Sequence, residues 1–452
     1  MPPGWPPERV KYSDLRLAES VHRSLYNEAV AHSPYRWRLV YATEDGDLHE
    51  DRTLLALGAS GLQSVRLGRM VPLPQASTVA LLPGCRPFGL DSSGRVVRHS
   101  HRSARPVAAL LPTGYTRLLT PAYEKEPEAG YMPLFGYTAV AGLHGKLFAA
   151  ALSLDPGGAW DPAIHNTPEL PELVRSRIEA QPGNRLLAHH AHCATVYGCY
   201  TAQNLFYRRH EMAIAVSVAC NAQCVGCISE QLGGITSPHD RIQFTPTVEE
   251  IVSLAVPHLE TAPNPIVSFG QGCEGEPLLR ARLIGRAIEQ IRRQTSRGQL
   301  HINTNGSNPR ALQHLIDAGL DSVRVSMFSA IETNHAAYYG PRNYGLAEME
   351  ECLRMARRQA LHTSINLLAY PGFTDCPSEV EAVIAFFGRS EVQVVQMRTL
   401  NMDRELLEEK VGFPREVGIG IWSFMERVRE EVPAVSLASH TPYVGREHVY
   451  VS

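Results

Sequence analysis

The stretch "MAIAVSVACNAQCVGC", residues 212–227, joins an apolar run to three cysteines that fall within eight positions. A short apolar run that ends in a polar loop is typical of a buried strand. Cys220, Cys224 and Cys227 therefore follow a predicted strand, with three and then two residues between them. In parallel α/β folds the loops after the strands form the active face, so the sequence predicts three thiols on that face.

The chain downstream of this stretch alternates short β-type runs with longer helical patterns. Such alternation predicts βα units and a parallel sheet. The predicted strands are 212–219, 265–270, 299–305, 321–328, 362–370 and 391–399. The predicted helices are 247–259, 277–297, 309–318, 343–360 and 377–388. Six such units favour a partial (β/α)6 TIM-like barrel within residues 205–440, and an open doubly wound sheet is the competing architecture.

The first 200 residues have a different texture, with short apolar runs separated by Pro and Gly. The segment "FGYTAVAGLHGKLFAAALSLD" (135–155) predicts two strands around a glycine-containing turn, and residues 169–180 predict a helix. We expect residues 1–200 to form a separate N-terminal α+β domain that binds substrate or acts as a lid.

Composition limits the class of protein. The 452 residues include 43 Lys and Arg against 46 Asp and Glu, so the net charge of −3 disfavours a nucleic-acid partner. Nine cysteines are too few for a disulfide-stapled secreted protein. The N-terminus has no apolar signal region, and no apolar run is long enough to span a membrane. These features predict a cytoplasmic protein with reduced thiols and no membrane association.

Three kinds of structure could use the cysteine triplet. The thiols could be unrelated core residues, although a third of all cysteines then cluster in one loop by chance. A structural zinc site would need a fourth ligand from a remote Cys or His. A [4Fe–4S] cluster normally takes four thiolates, so three would leave one iron open to a non-protein ligand. The iron–sulfur cluster is the favoured interpretation.

The Cys220-x3-Cys224-x2-Cys227 spacing after a first strand resembles the signature of the radical S-adenosylmethionine (radical SAM) superfamily. "SFGQGCEGEPLL" (268–279), after the second strand, is similar to the family's Gly-Gly-Glu-Pro motif, which holds the methionyl amine. Matching elements follow the third, fourth and fifth strands in "INTNGS", "VRVSMFSA" and "SINLLAYPG". The resemblance assigns the cluster to the three cysteines and assigns cofactor binding to Gly275, Glu276, Pro277, Asn305, Ser326 and Leu368.

The chain departs from the family pattern at two places. Gly226 stands where the family usually has an aromatic residue before the third cysteine. Cys273 and Glu274 are inserted before Gly275 and Glu276, which makes Glu274 the second candidate for the methionyl amine.

The resemblance implies a radical SAM enzyme in which a reduced [4Fe–4S] cluster cleaves S-adenosylmethionine to a 5′-deoxyadenosyl radical. That radical would abstract hydrogen from an unidentified small molecule, peptide or cofactor precursor. The electron would come from a one-electron reductant such as a flavodoxin or ferredoxin. Two alternatives stay open: non-standard cleavage with aminocarboxypropyl or methyl transfer, and a non-catalytic iron–sulfur or zinc binding module.

Further residues are candidates for roles near the substrate. Cys273 could be a hydrogen-atom donor or redox partner, and Arg398, at the end of the sixth strand, could bind a polar ligand. Arg342, in the loop "NHAAYYGPRNYG" (334–345), could bind a carboxylate or phosphate of the substrate. Cys193 and Cys199, in "HHAHCATVYGCY" (189–200), could bind a second metal or be ordinary linker residues.

Overall fold

The computed structural model describes residues 36–155, 160–230 and 237–445. The contacts of the chain divide it into two compact units. The described part of the first unit comprises residues 36–155, 369–380 and 399–426. The described part of the second unit comprises residues 160–230, 237–368, 381–398 and 427–445.

Residues 36–155 of the first unit are built from strands and contain no helix. A 12-stranded sheet and a two-stranded sheet account for all of its strands. The strands are β1 Arg38–Ala42, β2 Leu48–Ser60, β3 Gln63–Arg66, β4 Val71–Pro72, β5 Thr78–Leu81, β6 Cys85–Leu90, β7 Val96–Arg98, β8 Arg105–Leu110, β9 Tyr115–Arg117, β10 Thr120–Pro121, β11 Tyr123–Lys125, β12 Tyr137–Leu143, β13 Lys146–Ala149 and β14 Ala151–Ser153. The expectation of an α+β domain is therefore wrong for this region, because its apolar runs are short and end at Gly and Pro turns.

The predicted hairpin is present and shows how these turns work. Strands β12 and β13 pair antiparallel, with Leu143 opposite Lys146. The two turn residues, His144 and Gly145, have φ values of 53° and 72°. Positive φ at both central residues matches the right-handed twist of the flanking strands.

Two later segments of the chain also belong to the first unit. Residues 369–380 follow the fifth strand of the second unit, and residues 399–426 follow its sixth strand. Asp403 is fully buried, and its carboxylate accepts the backbone N–H of Met132 at 2.9 Å. The same carboxylate lies 3.1 Å from the ammonium of Lys125 and caps the helix that begins at Arg404. These contacts fix residues 399–426 to the β-rich unit, so the unit is not continuous in sequence.

The second unit contains a seven-stranded sheet whose strands follow one another in chain order. They are β15 Glu211–Ile214, β16 Ile266–Phe269, β17 Gln299–Thr304, β18 Ser322–Met327, β19 His362–Ala369, β20 Val394–Thr399 and β21 Ser436–Ala438. The registered neighbours are parallel. A doubly wound sheet reverses its strand order at a switch point, so the sequential order excludes that alternative.

The α/β prediction is confirmed, and all six predicted strands are present. The seventh, β21, was not predicted because it has only three residues and no alternating pattern. The helices are α1 Leu170–Ala180, α2 Arg185–Thr195, α3 Tyr200–Tyr207, α4 Val248–Thr261, α5 Ala281–Gln294, α6 Pro309–Ala318, α7 Glu332–Tyr339, α8 Leu346–Arg358, α9 Pro377–Ser390, α10 Arg404–Lys410 and α11 Ile421–Glu431.

The helix starts follow from local chemistry. Thr247 and Glu250 form a reciprocal capping box at the start of α4. Asn308 caps α6, and Pro309 fits its first position because that residue needs no N–H partner. Pro277 and the next three residues form a 3-10 turn before α5, so the helix predicted over 277–297 starts later.

Helices α1–α3 belong to the second unit and not to the N-terminal unit. The Asn204 side chain on α3 donates to the backbone oxygen of Glu211 at the start of β15, at 3.0 Å. The structure thus places the change of unit near residue 156, whereas the sequence pattern placed it near residue 200. None of the helices in the described parts of the chain has the length and apolar character needed to span a membrane.

Candidate active site

The cysteine loop follows β15 and is held in place by the segment that contains α7. The backbone N–H of Gln223 donates to the carbonyl of Tyr339 at 2.8 Å, and that of Val225 donates to Tyr338 at 2.9 Å. The backbone N–H of Arg342 donates to Asn221 at 2.9 Å. These bonds leave the three cysteine side chains half-buried at the carboxyl end of the first strand.

The three thiols lie within each other's electrostatic influence. Burial raises the pKa of Cys220, and the neighbouring Cys227 raises it further. Burial also raises the pKa of Cys224 well above its ordinary value, with Cys227 and Cys220 adding to the shift. Three thiols that resist joint ionisation in a common environment form one site that a cationic iron cluster would stabilise.

One cation lies beside this site. The guanidinium of Arg241 has its Nη2 3.6 Å from the Sγ of Cys227 and 2.8 Å from a carboxylate oxygen of Glu230. Its Nε donates to the hydroxyl of Ser229 at 3.3 Å. Arg241 is therefore fixed on two sides and places positive charge next to the third cysteine.

The loop after β16 pairs directly with the chain that leads into the cysteines. The backbone N–H of Gly275 donates to Ser217 at 2.7 Å, and that of Glu276 donates to Ala219 at 2.9 Å. A Cβ atom at Gly275 would lie 2.0 Å from the carbonyl oxygen of Ala219. Only glycine permits this approach, so the predicted cofactor motif and the cysteine loop form one rigid cradle.

Glu274 anchors the same loop from inside. It is 5% exposed, and its two carboxylate oxygens accept four backbone N–H groups. The donors are Val216 at 2.8 Å, Ser217 at 2.9 Å, Gly270 at 2.6 Å and Gln271 at 3.2 Å. Burial raises the pKa of Glu274 to about 8, against the lowering effect of these donors. Because its oxygens face backbone, Glu274 positions the loop.

Glu276 performs a similar task one strand further on. One of its carboxylate oxygens accepts the backbone N–H of Asn305 at 2.9 Å, and the other accepts the N–H of Leu278 at 3.0 Å and the hydroxyl of Thr304. Burial raises the pKa of Glu276 to about 7. The predicted contact of this carboxylate with the methionyl amine stays a prediction.

Asn305 links the loop after β17 back to the cysteines. Its side-chain amide donates to the side-chain oxygen of Asn221 at 2.8 Å. The loops after β15, β16 and β17 are thus connected by hydrogen bonds into one surface that carries the predicted cofactor residues Gly275, Glu276 and Asn305. Sequence reasoning missed Asn221, whose only signal is its position next to the first cysteine.

The remaining predicted cofactor residues lie on the next two strands. Ser326 on β18 and Leu368 on β19 are both half-buried. Ser326 is registered against Asn366, whose side-chain oxygen is buried with no hydrogen-bond partner among the described residues. An unpaired buried oxygen calls for a donor from outside the chain, so Asn366 joins the candidate site.

Arg398 is half-buried near the carboxyl end of β20, on the sheet that carries the predicted cofactor residues. Burial lowers the pKa of His440 to about 3, and Arg398 and Arg324 lower it further. The proximity of these charges places Arg398 among polar groups of the second unit. Its predicted role as a polar-ligand contact stays a prediction.

The segment 334–345 is a support for the cysteine loop. Tyr338, Tyr339 and Tyr344 are buried, and burial together with the neighbouring Cys224 raises the pKa of each phenol. Aromatic rings therefore lie beside the thiols even though Gly226 supplies none. Arg342, the predicted substrate contact, has an exposed side chain in this segment. Its contact with the substrate stays a prediction.

Cys273 lies apart from the triplet, in a second cluster. Its thiol meets Cys193 and His189, which are one helical turn apart on α2. The Nε2 of His189 is 3.7 Å from the Sγ of Cys193. Cys273 is 5% exposed in this setting, and its predicted role as a hydrogen-atom donor stays a prediction.

Comparison with known proteins gives one family. The family model described as the Radical SAM superfamily matches residues 214–387. No curated protein matches the chain.

Among solved structures, the chain is similar to Streptococcus suis SuiB bound to precursor peptide SuiA, with 12% identity, a TM-score of 0.33, and coverage of 55% of this chain and 49% of that one. Methylornithine synthase is similar at 11% identity and a TM-score of 0.36, covering 62% and 78% of the two chains. The [FeFe]-hydrogenase maturase HydG is similar at 14% identity and 0.35, covering 60% and 66%. The chain therefore spans about half the length of SuiB.

Proposed function

We propose that residues 214–387, which match the family model, form a radical SAM domain and that the whole protein is a radical SAM enzyme that cleaves S-adenosylmethionine reductively. Members of the superfamily use a [4Fe–4S] cluster and S-adenosylmethionine. The observation that carries the proposal is the hydrogen-bonded cradle in which the cysteine loop, the Gly275 loop and Asn305 meet. Cys220, Cys224 and Cys227 would hold the cluster in it.

The residues present fit both groups. Three thiols supply three of the four ligands that a [4Fe–4S] cluster takes, and Arg241 offsets part of the negative charge beside Cys227. The close approach at Gly275 leaves no room for a side chain and brings its loop against the backbone that leads into the cysteines. Asn305, Ser326 and the unpaired oxygen of Asn366 provide donors and acceptors for the methionyl and ribose portions of the nucleoside.

When bound, the reduced cluster and S-adenosylmethionine supply a 5′-deoxyadenosyl radical, which abstracts hydrogen from the substrate. This chain's residues do the positioning. Glu274 and Glu276 hold the loops after β16 and β17 through backbone N–H groups, which sets the cofactor motif before anything binds. The buried rings of Tyr338, Tyr339 and Tyr344 exclude water from the underside of the cysteine loop.

The proposal includes a redox partner and a substrate. A one-electron donor, a flavodoxin or a ferredoxin, would reduce the cluster. The substrate is a small molecule, a peptide or a cofactor precursor. The β-rich first unit would contribute substrate binding, and Arg398 is the proposed polar contact of the reaction.

Anaerobic reconstitution of the full chain with iron and sulfide tests the proposal. About four irons per chain are expected, and alanine at each of the three cysteines should abolish cluster assembly while the apo-protein stays folded. Equilibrium dialysis should show that the loaded protein binds S-adenosylmethionine and the apo-protein does not. Stable binding of a single zinc ion by the triplet, with no cluster, would overturn the proposal in favour of a binding module.

A further inference from the structure

A second group of metal-binding side chains lies outside the cysteine loop. His189 and Cys193 are on α2, and Cys273 is in the loop after β16, about 80 positions later in the chain. The ligand atoms of the three side chains all lie within 4.8 Å of one another. None of the three belongs to the triplet that the proposed cluster uses.

The arrangement has the local geometry of a zinc half-site. His189 and Cys193 are separated by four positions on a helix, so their side chains lie on the same face. The same separation lets two helical side chains bind one zinc ion in other proteins. The Nε2 of His189 already points toward the Sγ of Cys193 at 3.7 Å.

Burial makes the cluster difficult to explain as ordinary packing. Cys193 is fully buried and Cys273 is 5% exposed, and the half-buried imidazole of His189 lies at the edge of the space that the two thiols share. His190, the next residue on the helix, is by contrast bound to the first strand of the second unit, since its Nε2 accepts the backbone N–H of Ala215 at 3.3 Å. His190 therefore supports the fold, whereas His189 faces the two thiols.

His239 offers a fourth ligand. Its ring packs edge-on against that of Tyr197, just beyond α2, with ring centroids 4.9 Å apart, and its Nδ1 is buried with no hydrogen-bond partner among the described residues. The backbone of His239 is fixed, because its N–H donates to the carbonyl of Ile228 at 3.0 Å. A ring held in this way with an unused nitrogen can complete a tetrahedral set.

We propose that His189, Cys193 and Cys273 bind a zinc ion, with His239 as the fourth ligand, and that the ion ties α2 to the loop that carries Gly275. Imidazole and thiolate ligands are the set that zinc prefers. The carbonyl of Cys273 also accepts the N–H of Ile242 at 2.9 Å, so the site joins three separate segments of the second unit. With four protein ligands the zinc ion has no free coordination position, so its role is structural.

The test uses full-length protein in which Cys220, Cys224 and Cys227 are all alanine, so that neither iron nor zinc can bind the triplet. After zinc equilibration and exhaustive dialysis, elemental analysis should find about one zinc per chain. His189→Gln, Cys193→Ala and Cys273→Ala should each lower zinc retention at least about tenfold. Cys85→Ala, which removes a buried cysteine from the first unit, should leave it unchanged.

Cobalt substitution keeps the test decisive if a thiol variant fails to fold. Co²⁺ bound to the triple-alanine protein should show thiolate-to-metal charge-transfer absorption, and Cys193→Ala should weaken it. His239→Gln should lower zinc affinity less than His189→Gln does. The proposal is overturned if the triple-alanine protein retains less than about a tenth of an equivalent of zinc. It is equally overturned if anaerobic thiol counting finds Cys193 and Cys273 joined as a disulfide.

Discussion

The carboxylate of Glu274 lies 2.9 Å from the backbone nitrogen of Ser217, three residues before the first cysteine of the triplet. The same oxygen accepts the N–H of Val216, and the other oxygen accepts two N–H groups from its own loop. A single buried side chain thus satisfies four backbone donors that would otherwise have no partner at the ends of β15 and β16. Glu274 therefore fixes the loop after β16 against the backbone that leads into the cysteines.

Replacing Glu274 with alanine should lower the free energy of unfolding of the apo-protein by about 3 kcal/mol or more, because each buried N–H left without an acceptor costs about 1–3 kcal/mol. Glu274→Gln, which keeps one acceptor oxygen, should fall between wild type and Glu274→Ala. Urea titration measures the change. Glu249→Ala removes an exposed carboxylate from the first turn of α4 and should cost less than about 1 kcal/mol. Equal costs for the two alanine variants would contradict the anchoring role.

Gly275→Ala should weaken S-adenosylmethionine binding by about tenfold or more, since its Cβ would meet the Ala219 oxygen at 2.0 Å and overpacking costs about 1–3 kcal/mol. Equilibrium dialysis on cluster-loaded protein provides the measurement. The matched control is Gly388→Ala, where an added Cβ meets nothing within 4 Å. That variant should bind normally and gain slight helix stability. Normal binding by Gly275→Ala would show that the cradle adjusts freely.

Arg241→Gln should make the midpoint potential of the cluster more negative by about 50 mV, because a cation beside Cys227 favours the more negatively charged reduced state. Arg241→Lys retains the charge and should shift the potential less. A redox titration followed by electron paramagnetic resonance gives both values. Arg342→Gln, an exposed arginine near the same loop, is the control, and a potential that moves equally in both Gln variants would refute a specific effect of Arg241.

The stability of the second unit should fall in mild acid because of buried histidines. Burial lowers the pKa of His258 to about 4, and its Nε2 donates to the carbonyl of His210 at 2.6 Å. The folded pKa is depressed below the ordinary 6.5, so the unfolded chain takes up a proton first as pH falls. The contribution of His258 to stability is therefore complete above about pH 6.5 and is lost as pH falls toward 4.

The comparison of wild type with His258→Gln isolates this effect. Between pH 7 and pH 4.5 the wild-type free energy of unfolding should drop by about 2 kcal/mol more than that of the variant. Denaturant titrations of the apo-protein at the two pH values measure the difference. Parallel pH profiles for the two proteins would mean that His258 does not drive the acid sensitivity.

The parallel sheet could be predicted from the sequence because each strand is short, apolar and followed by a helix with its own start signal. Thr247 and Asn308 are examples in which a single polar residue marks the helix start that the structure shows. The three cysteines were placed correctly at the end of β15 for the same reason. Local patterns determine local structure, and the sequential strand order follows from repeated βα connections.

The first unit resisted prediction because its pairings are between distant segments. Strand β1 pairs with β2, β8 and β12, and Asp403 binds Met132 across 271 positions. No periodic pattern in one segment reveals such partners. The helix predicted over 169–180 exists but belongs to the second unit, where α3 is bonded to the start of β15.

The candidate site shows the same division. The order of the predicted cofactor motifs along the chain was readable, yet the contacts of Glu274 and Glu276 depend on which backbone N–H groups face them. Cys193 and Cys273 lie close together in the fold, but they are so far apart in the sequence that no local pattern indicates the contact. Gly226 supplies no aromatic ring, and the three tyrosines beside Cys224 come from a different segment of the chain. The sequence of the cysteine motif alone cannot show this.

Product analysis tests the proposed reductive cleavage of S-adenosylmethionine most directly. The anaerobically reconstituted protein is reduced with dithionite in the presence of S-adenosylmethionine, and the products are identified. The wild type should form 5′-deoxyadenosine and methionine. The variant in which Cys220, Cys224 and Cys227 are alanine should form neither product. Methylthioadenosine as the nucleoside product would instead indicate cleavage with aminocarboxypropyl transfer. A protein that carries the intact cluster and binds S-adenosylmethionine but never consumes it would contradict the assignment as a radical SAM enzyme.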